Sequence, residues 1–426
     1  MEANHQPIIA RGATGQGIAF SREERERHIY LVGKSGSGKS TALFNLAMHD
    51  IYAGEGVAVI DPHGDLAEAI IDALPPERTH EVCYLNAADT EFPVGFNPLA
   101  SVPIHRQPLA AAGIVSAFKH LWSDSWGPRL EHFLYNGVAA LMAHPHPTLI
   151  DLSRMYTDEK FRERVIACVT DPAIGRFWRQ EYPNYDRHFQ AEAAAPILNK
   201  VGQLAAYPAL RNILGQTSPK FDLAYAMNNR KILIANVAKP QPDTSRVFIA
   251  NLAKGQIGEQ ASNLLGSLLI SHLQLVAMAR SDLAPENRVP FFVHVDEFQS
   301  FSTEAFASLL SEARKFGTHF CLANQYLEQV QPQVRAAVLG NAGTLIVFRV
   351  SSNDAKLLAP EFHPLPAPEL SEQSPFTAWL RRGDSGHRAI FLEPPLYRSR
   401  NRRNQVIAQS RRNFGRRRNV INRQPF

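Results

Sequence analysis

Eight residues near the start of the chain, Gly33-Lys34-Ser35-Gly36-Ser37-Gly38-Lys39-Ser40, fit the phosphate-binding pattern G-x-x-x-x-G-K-[ST]. They follow the apolar run Ile29-Tyr30-Leu31-Val32 and precede a helical stretch from Thr41 to Tyr52, so the motif stands between a strand and a helix, where its chemistry requires it. Glycines in such a loop let consecutive backbone N–H groups turn inward around phosphate oxygens. Lys39 then supplies a point charge and the Ser40 hydroxyl a Mg²⁺ ligand. A Gly/Ser-rich turn without a ligand is the bland alternative, and the flanking strand and helix argue against it. The nucleotide-binding residues expected from the motif are Gly33, Lys34, Ser35, Gly36, Ser37, Gly38, Lys39, Ser40 and Thr41.

The 426 residues are 45% hydrophobic and 20% charged, an ordinary globular composition with length for two or three domains. Three cysteines, Cys83, Cys168 and Cys321, lie far apart and outside any Cys/His spacing, which indicates neither a disulfide framework nor a zinc site and suits a reducing, cytoplasmic setting. The first residues show no signal-peptide pattern. The longest apolar stretch, Leu264 to Ala279, is broken by Ser267, Ser271, His272 and Gln274, and reads as a buried helix with no membrane span expected. The net charge of +5 is unevenly placed: ten arginines and no acidic residue lie between Tyr397 and Phe426, leaving −5 on residues 1–396. Few apolar residues and many Arg, Asn and Gln predict a disordered tail with affinity for polyanions, or simply a solubilising one.

From His28 to Ala87 the pattern alternates strand and helix: the loop unit, then Val57-Ala58-Val59-Ile60 ending at Asp61, a helix from Leu66 to Leu74, and Val82-Cys83-Tyr84-Leu85. Near-continuous apolar strands are those of a parallel sheet covered on both faces. Between about Val102 and Phe221 the character turns helical, which predicts an all-α insertion. Its aromatics, Trp122, Trp126, Phe177, Trp178, Tyr182, Tyr185 and Phe189, suit a packed core better than a platform for stacked bases. The α/β pattern resumes with an internal repeat, the segment from Lys231 to Lys239 being echoed by that from Arg246 to Lys254. One copy is expected in the sheet and the other as an edge strand or hairpin partner. The domains predicted are thus 1–101 and 226–396, two parts of an α/β nucleotide-binding domain with mostly parallel sheet; 102–225, an inserted all-helical domain; and 397–426, a disordered basic tail.

Ligands of open parallel sheets bind at the carboxyl ends of strands, and three further segments end there with polar residues. Phe291-Phe292-Val293-His294-Val295 runs into Asp296 and Glu297; Phe320-Cys321-Leu322-Ala323 ends at Asn324-Gln325; Thr344 to Val350 includes Arg349. Asp296 can hold Mg²⁺ together with Ser40, Glu297 can take a proton from an attacking water, and Gln325 can orient that water or sense the terminal phosphate. Catalytic roles are accordingly expected for Lys39, Glu297, Gln325 and Arg349. Arg349 is an arginine-finger candidate for a subunit interface, with Arg314 as the second candidate and pairing with Asp354 as the structural alternative. In Asp61-Pro62-His63-Gly64-Asp65 the spacing suggests a metal site less than a helix start, with Asp65 as the cap.

Taken in order, the segments Gly33–Thr41, Ile60–Leu66, Gly95-Phe96-Asn97-Pro98-Leu99, Ala253–Gly258, Val295–Phe298, Leu322–Tyr326 and Val347–Val350 resemble the HerA/FtsK superfamily of ring-forming DNA motor ATPases. Within it they are similar to the type IV secretion coupling proteins of conjugative DNA transfer. The resemblance runs from about residue 28 to 360. It implies a RecA-like core, ATP and Mg²⁺ as cofactors, a homo-hexamer, and DNA threaded through a central channel, with relaxase or secretion-channel partners. Membrane-anchored members carry N-terminal transmembrane helices, and this chain begins close to the loop strand, so a cytoplasmic protein recruited to the inner face of the membrane by a partner is expected. Other readings are a nucleotide-switched adaptor that hydrolyses ATP slowly without translocating, a HerA-type DNA-processing helicase, and a small-molecule kinase. The last is disfavoured because Glu297 beside Asp296 suits activation of water.

Overall fold

The computed structural model describes residues 8–228, 246–383 and 387–421. Eleven strands form one sheet among these residues: β1 (Ala10–Gly12), β2 (Gly17–Ile18), β3 (Ile29–Val32), β4 (Gly56–Asp61), β5 (Val82–Asn86), β6 (Val247–Asn251), β7 (Phe291–Val295), β8 (Thr318–Asn324), β9 (Thr344–Val347), β10 (Thr377–Arg382) and β11 (His387–Leu392). Their order is β2-β1-β11-β10-β9-β3-β8-β7-β4-β6-β5. From β9 through β3, β8, β7 and β4 to β6 the neighbours run parallel. The other flank, β9-β10-β11-β1-β2, is antiparallel. The parallel strands are buried along their whole length, as runs such as Ile29–Val32 and Phe291–Val295 demand of a sheet packed on both faces. β10 instead alternates, with Ala378 and Leu380 buried and Thr377 and Trp379 half-buried, the mark of a strand with one open face.

The chain divides into two compact units, one of residues 1–84, 223–251 and 276–410, the other of 85–222, 252–275 and 411–426. The first holds the sheet, apart from the end of β5, and the P-loop. The second is helical between Gln107 and Leu214 and takes residues 252–275, which the sequence pattern alone places in the α/β domain. Its aromatic residues pack together: buried Phe133 lies against buried Phe177 and Tyr182 and half-buried Tyr185 and Phe189 at ring separations of 5.3–6.4 Å. Buried Trp178 donates its indole N–H to the Asn136 carbonyl at 3.0 Å, while Trp122 and Trp126 are half-buried. The apolar stretch expected as a buried helix lies in Glu259–Ala279. The helical run Glu259–Asp282 is long and apolar enough to cross a membrane, yet 83% of its apolar window is buried within the fold.

Four expectations need correction or limit. Tyr397–Ile421 is not a disordered tail: Arg403–Asn413 is a helix whose Val406 and Ser410 are buried, with Phe414 and Ile421 buried beyond it. Low apolar content predicts disorder, but Val406 and Ser410, four residues apart, put the few helical anchors on one face. The Ser410 hydroxyl accepts the Tyr84 N–H at 2.8 Å, satisfying a donor on the edge strand β5, and Arg403 pairs with Glu68 at 2.7 Å. Further along, Arg411 pairs with Asp89 at 2.6 Å. Second, the helix begins at Asp65 itself, and Asp61 does the capping: its carboxylate accepts the His63 and Ala67 N–H groups, each at 2.9 Å. Third, β9 stops at Val347, so Arg349 follows the strand instead of lying in it. Fourth, of the repeated segments, the second forms the interior strand β6, whereas Lys231–Lys239 falls outside the described residues.

Candidate nucleotide site

The loop after β3 is shaped by two left-handed glycines, Gly36 (φ 74°) and Gly38 (φ 115°), the second immediately preceding the helix Lys39–Tyr52. Only glycine takes these dihedrals without penalty, and the result is a ring of N–H groups at a helix N-terminus. Gly33 is fixed by space: a Cβ there would lie 2.5 Å from the Phe348 Cβ. The loop is tied to the neighbouring strand end, Lys34 N–H donating to the Arg349 carbonyl at 2.8 Å. Lys39 is buried, and its ammonium donates to the carbonyls of Gly33 (2.5 Å) and Lys34 (3.2 Å). Burial lowers its pKa, and the Asp296 and Glu297 carboxylates oppose that shift.

An open cleft of about 470 Å³ collects the loop and the strand ends. Ser35, Gly36, Gly38, Lys39, Ser40 and Thr41 line one wall; Asp61, Asp296, Glu297 and Gln325, from the ends of β4, β7 and β8, line another. The order β3-β8-β7-β4 makes these ends neighbours, which is why residues nearly 300 positions apart meet. Asp296 is held by the Glu297 N–H at 3.0 Å, and burial with the nearby Glu297 and Asp61 carboxylates pushes its pKa up to about 7. Three carboxyl groups around a buried position are an excess of negative charge that a divalent cation would offset. Among the described residues no cluster of three or more His, Cys, Asp or Glu side chains forms a closed metal site. Ser40 and Asp296 line the same cleft and fit Mg²⁺, which takes one or two protein ligands and completes its shell with water and phosphate. The Ser37 hydroxyl, buried without a partner inside the loop, also fits an added acceptor.

Glu297 adopts a left-handed backbone (φ 45°), turning the chain sharply after β7. Its carboxylate accepts the Gln299 amide N–H at 2.7 Å, and the same amide lies 3.3 Å from the Gln329 side-chain oxygen. Sequence reasoning misses Gln299 and also Phe376, which stands at the cleft beside Gly38. Gln299 lies one residue beyond the recognisable Val295–Phe298 segment, and nothing local marks Phe376, which meets the loop across more than 300 residues of chain. The arginine candidates fall elsewhere. Arg349 contributes its carbonyl, its half-buried side chain does not line the cleft, and it makes no ion pair among the described residues, with Asp354 or otherwise. Arg314 precedes β8, at the end of that strand remote from Gln325 and roughly 20 Å away along seven residues.

No protein-family model matches the chain. The type 4 coupling protein DotL of Legionella pneumophila is 22% identical over 385 residues, spanning 77% of this chain and 48% of DotL, so the chain matches about half the length of that relative. Among solved structures, the bacterial conjugative coupling protein TrwB in its unbound form is similar with a TM-score of 0.63 and 15% identity, covering 93% of this chain and 92% of TrwB. TrwB has also been solved with non-hydrolysable GTP and ATP analogues and with ADP and Mg²⁺. VirB4 of Thermoanaerobacter pseudethanolicus aligns with a TM-score of 0.59 and 14% identity over 93% of this chain and 99% of that one. The P-loop and the paired carboxylates after β7 thus stand on a fold similar to that of the coupling protein TrwB.

Proposed function

We propose that the cleft binds ATP with Mg²⁺, hydrolyses it, and uses the cycle to move DNA in conjugative or mobile-element transfer. The observation that carries this reading is the convergence of Lys39, Asp296, Glu297 and Gln325 on one cleft. Bound Mg²⁺ supplies charge neutralisation on the phosphates. The loop N–H groups and Lys39 hold the phosphates, and Lys39 exchanges its two carbonyl partners for phosphate oxygens. Glu297 takes a proton from the attacking water as its oxygen bonds the terminal phosphorus and the bond to the bridging oxygen breaks. Gln325 orients that water. Gln299, bonded to the Glu297 carboxylate, sets its direction.

TrwB structures with ATP and GTP analogues and with ADP and Mg²⁺ support a nucleotide ligand, and DNA as substrate and a hexameric ring as assembly are proposed from the resemblance of the motifs. Arg349 is then proposed as a residue presented to a neighbouring subunit, since its side chain is not engaged within its own cleft. Arg398, Arg412, Arg417 and Arg418 are exposed and make no ion pair among the described residues, and are proposed to contact DNA phosphates. An adaptor that recruits DNA–protein substrates without translocating is the second reading, supported by the same coupling-protein likeness. ATP-driven displacement of a triplex-forming strand separates the two. Displacement by the wild type and none by Lys39→Ala supports a motor; DNA binding without displacement supports the adaptor. Sedimentation with a non-hydrolysable ATP analogue tests the ring, and monomers at micromolar concentration would count against it.

A further inference from the structure

We propose that Phe376 is the platform on which the base of the bound nucleotide stacks, so that the cleft takes nucleoside triphosphates by the face of the base and accepts adenine and guanine alike. The inference rests on the nucleotide-binding reading of the cleft and adds a base subsite to it.

The sheet order separates the cleft into two sides. From the P-loop strand β3, the strands β8, β7 and β4 extend in one direction and carry Gln325, Asp296, Glu297 and Asp61 at their carboxyl ends. In the other direction come β9, β10 and β11. Because β10 runs antiparallel to β9, with Trp379 opposite Val347, the start of β10 lies at the carboxyl end of β9, on the same edge of the sheet as the P-loop. Phe376 immediately precedes β10 and therefore stands on that edge, across the loop from every carboxylate of the site. A triphosphate whose terminal phosphate points to Asp296 and Glu297 must lead its nucleoside away from them, toward Phe376.

The local geometry suits a platform. Phe376 is 53% exposed although it lines a cleft, and it holds a left-handed backbone (φ 60°) that bulky side chains avoid. Exposure and backbone strain are two costs that packing inside the fold does not offset. Two backbone bonds nevertheless pin it: its N–H donates to the Ser37 carbonyl of the P-loop, and its carbonyl accepts the Leu392 N–H, each at 2.9 Å. The ring lies against the loop, since a Cβ at Gly38 would come within 3.2 Å of Phe376 Cδ1 and 3.1 Å of Leu392 Cδ2. A rigidly held, half-exposed aromatic face beside a phosphate cradle is a stacking surface for a flat heterocycle. Stacking reads the π face and not the hydrogen-bonding edge, which is why it tolerates different bases.

Calorimetric titration of the intact chain, in Mg²⁺, with ATP, GTP and inorganic tripolyphosphate tests this. Phe376→Ala should weaken ATP and GTP by about 5- to 100-fold, the range expected for losing one stacked base, and leave tripolyphosphate affinity unchanged. Phe376→Trp should restore nucleotide affinity, and the wild type should bind ATP and GTP within about threefold of each other. Equal weakening of ATP and tripolyphosphate by Phe376→Ala would make the ring a prop for the P-loop and overturn the proposal, as would a variant that binds all three like the wild type. Both results leave wild-type ATP binding intact. Failure of the folded wild type to bind ATP or tripolyphosphate would instead remove the nucleotide reading itself.

Discussion

Replacing Asp296 by Asn should stabilise the nucleotide-free protein at pH 8 and do much less at pH 5. The carboxyl group has its pKa raised from 3.8 to about 7 by burial and by the Glu297 and Asp61 carboxylates. Between those two pH values the folded chain keeps a proton that the unfolded chain has released, so stability falls as pH rises through the window, and the penalty is complete above about pH 7. At 1.36 kcal/mol per pH unit, the full penalty is about 4 kcal/mol, of which about 1.5 kcal/mol is already present at pH 5. Asn cannot ionise, and its side-chain oxygen can still accept the Glu297 N–H that Asp296 accepts at 3.0 Å. The variant should therefore gain about 2.5 kcal/mol more at pH 8 than at pH 5, or about 5–10 °C in the midpoint of a unit this size. Thermal unfolding followed by fluorescence at the two pH values, without Mg²⁺ or nucleotide, reads the difference. Mg²⁺ with ATP should then raise the wild-type midpoint more than that of the variant, because the same charge becomes a ligand. An equal shift at both pH values, or a lower midpoint for the variant at pH 8, would refute the charge crowding assigned to this cleft.

Other consequences can be checked independently. Arg25 and Asp50 form a buried ion pair, and neutral His294, its pKa pushed down to about 3 by burial, donates to the same carboxylate at 2.9 Å. Arg25→Ala leaves that carboxylate buried without its cation and should cost about 3–5 kcal/mol in denaturant unfolding, while Asp50→Asn in the same background should recover part of the loss. Val406 is fully buried on the helix Arg403–Asn413. Val406→Asp should free the C-terminal segment and expose bonds after its arginines to trypsin, and a digestion pattern like the wild type's would show that the helix does not depend on this anchor. Replacing Arg398, Arg412, Arg417 and Arg418 by Gln should lower DNA affinity for all sequences alike and reduce the slope of log K against log salt by about one for each DNA phosphate that is no longer neutralised. An unchanged slope would make these arginines bystanders.

The parallel half of the sheet is legible because buried parallel strands are written as unbroken apolar runs, and its polar punctuation at Ser40, Asp296 and Gln325 falls on the edge that carries the cleft. The antiparallel flank is not. β1 and β2 have three and two residues, and β10 alternates around Trp379 with the charged Arg381 and Arg382 at its end, so no run stands out. Phe376 reaches the P-loop only because that flank folds back beside β9, a consequence of topology that no local pattern carries. The C-terminal segment misleads through composition. Its arginines dominate the count, whereas Val406 and Ser410 on the helix and Phe414 and Ile421 beyond it are the buried positions that hold the segment. Asp61 likewise looks like one of several acids in a turn until the structure shows it bonded to two backbone N–H groups.

The most direct test is the rate of Mg²⁺-dependent ATP hydrolysis at low salt, with and without single- and double-stranded DNA, by the wild type and by Glu297→Gln. The account predicts turnover that one form of DNA accelerates severalfold, and a variant that binds ATP as tightly as the wild type while losing at least about 100-fold in rate. A wild type that binds ATP yet hydrolyses it at one rate whether or not DNA is present would contradict the motor. A variant that hydrolyses ATP as fast as the wild type would contradict the role given to Glu297.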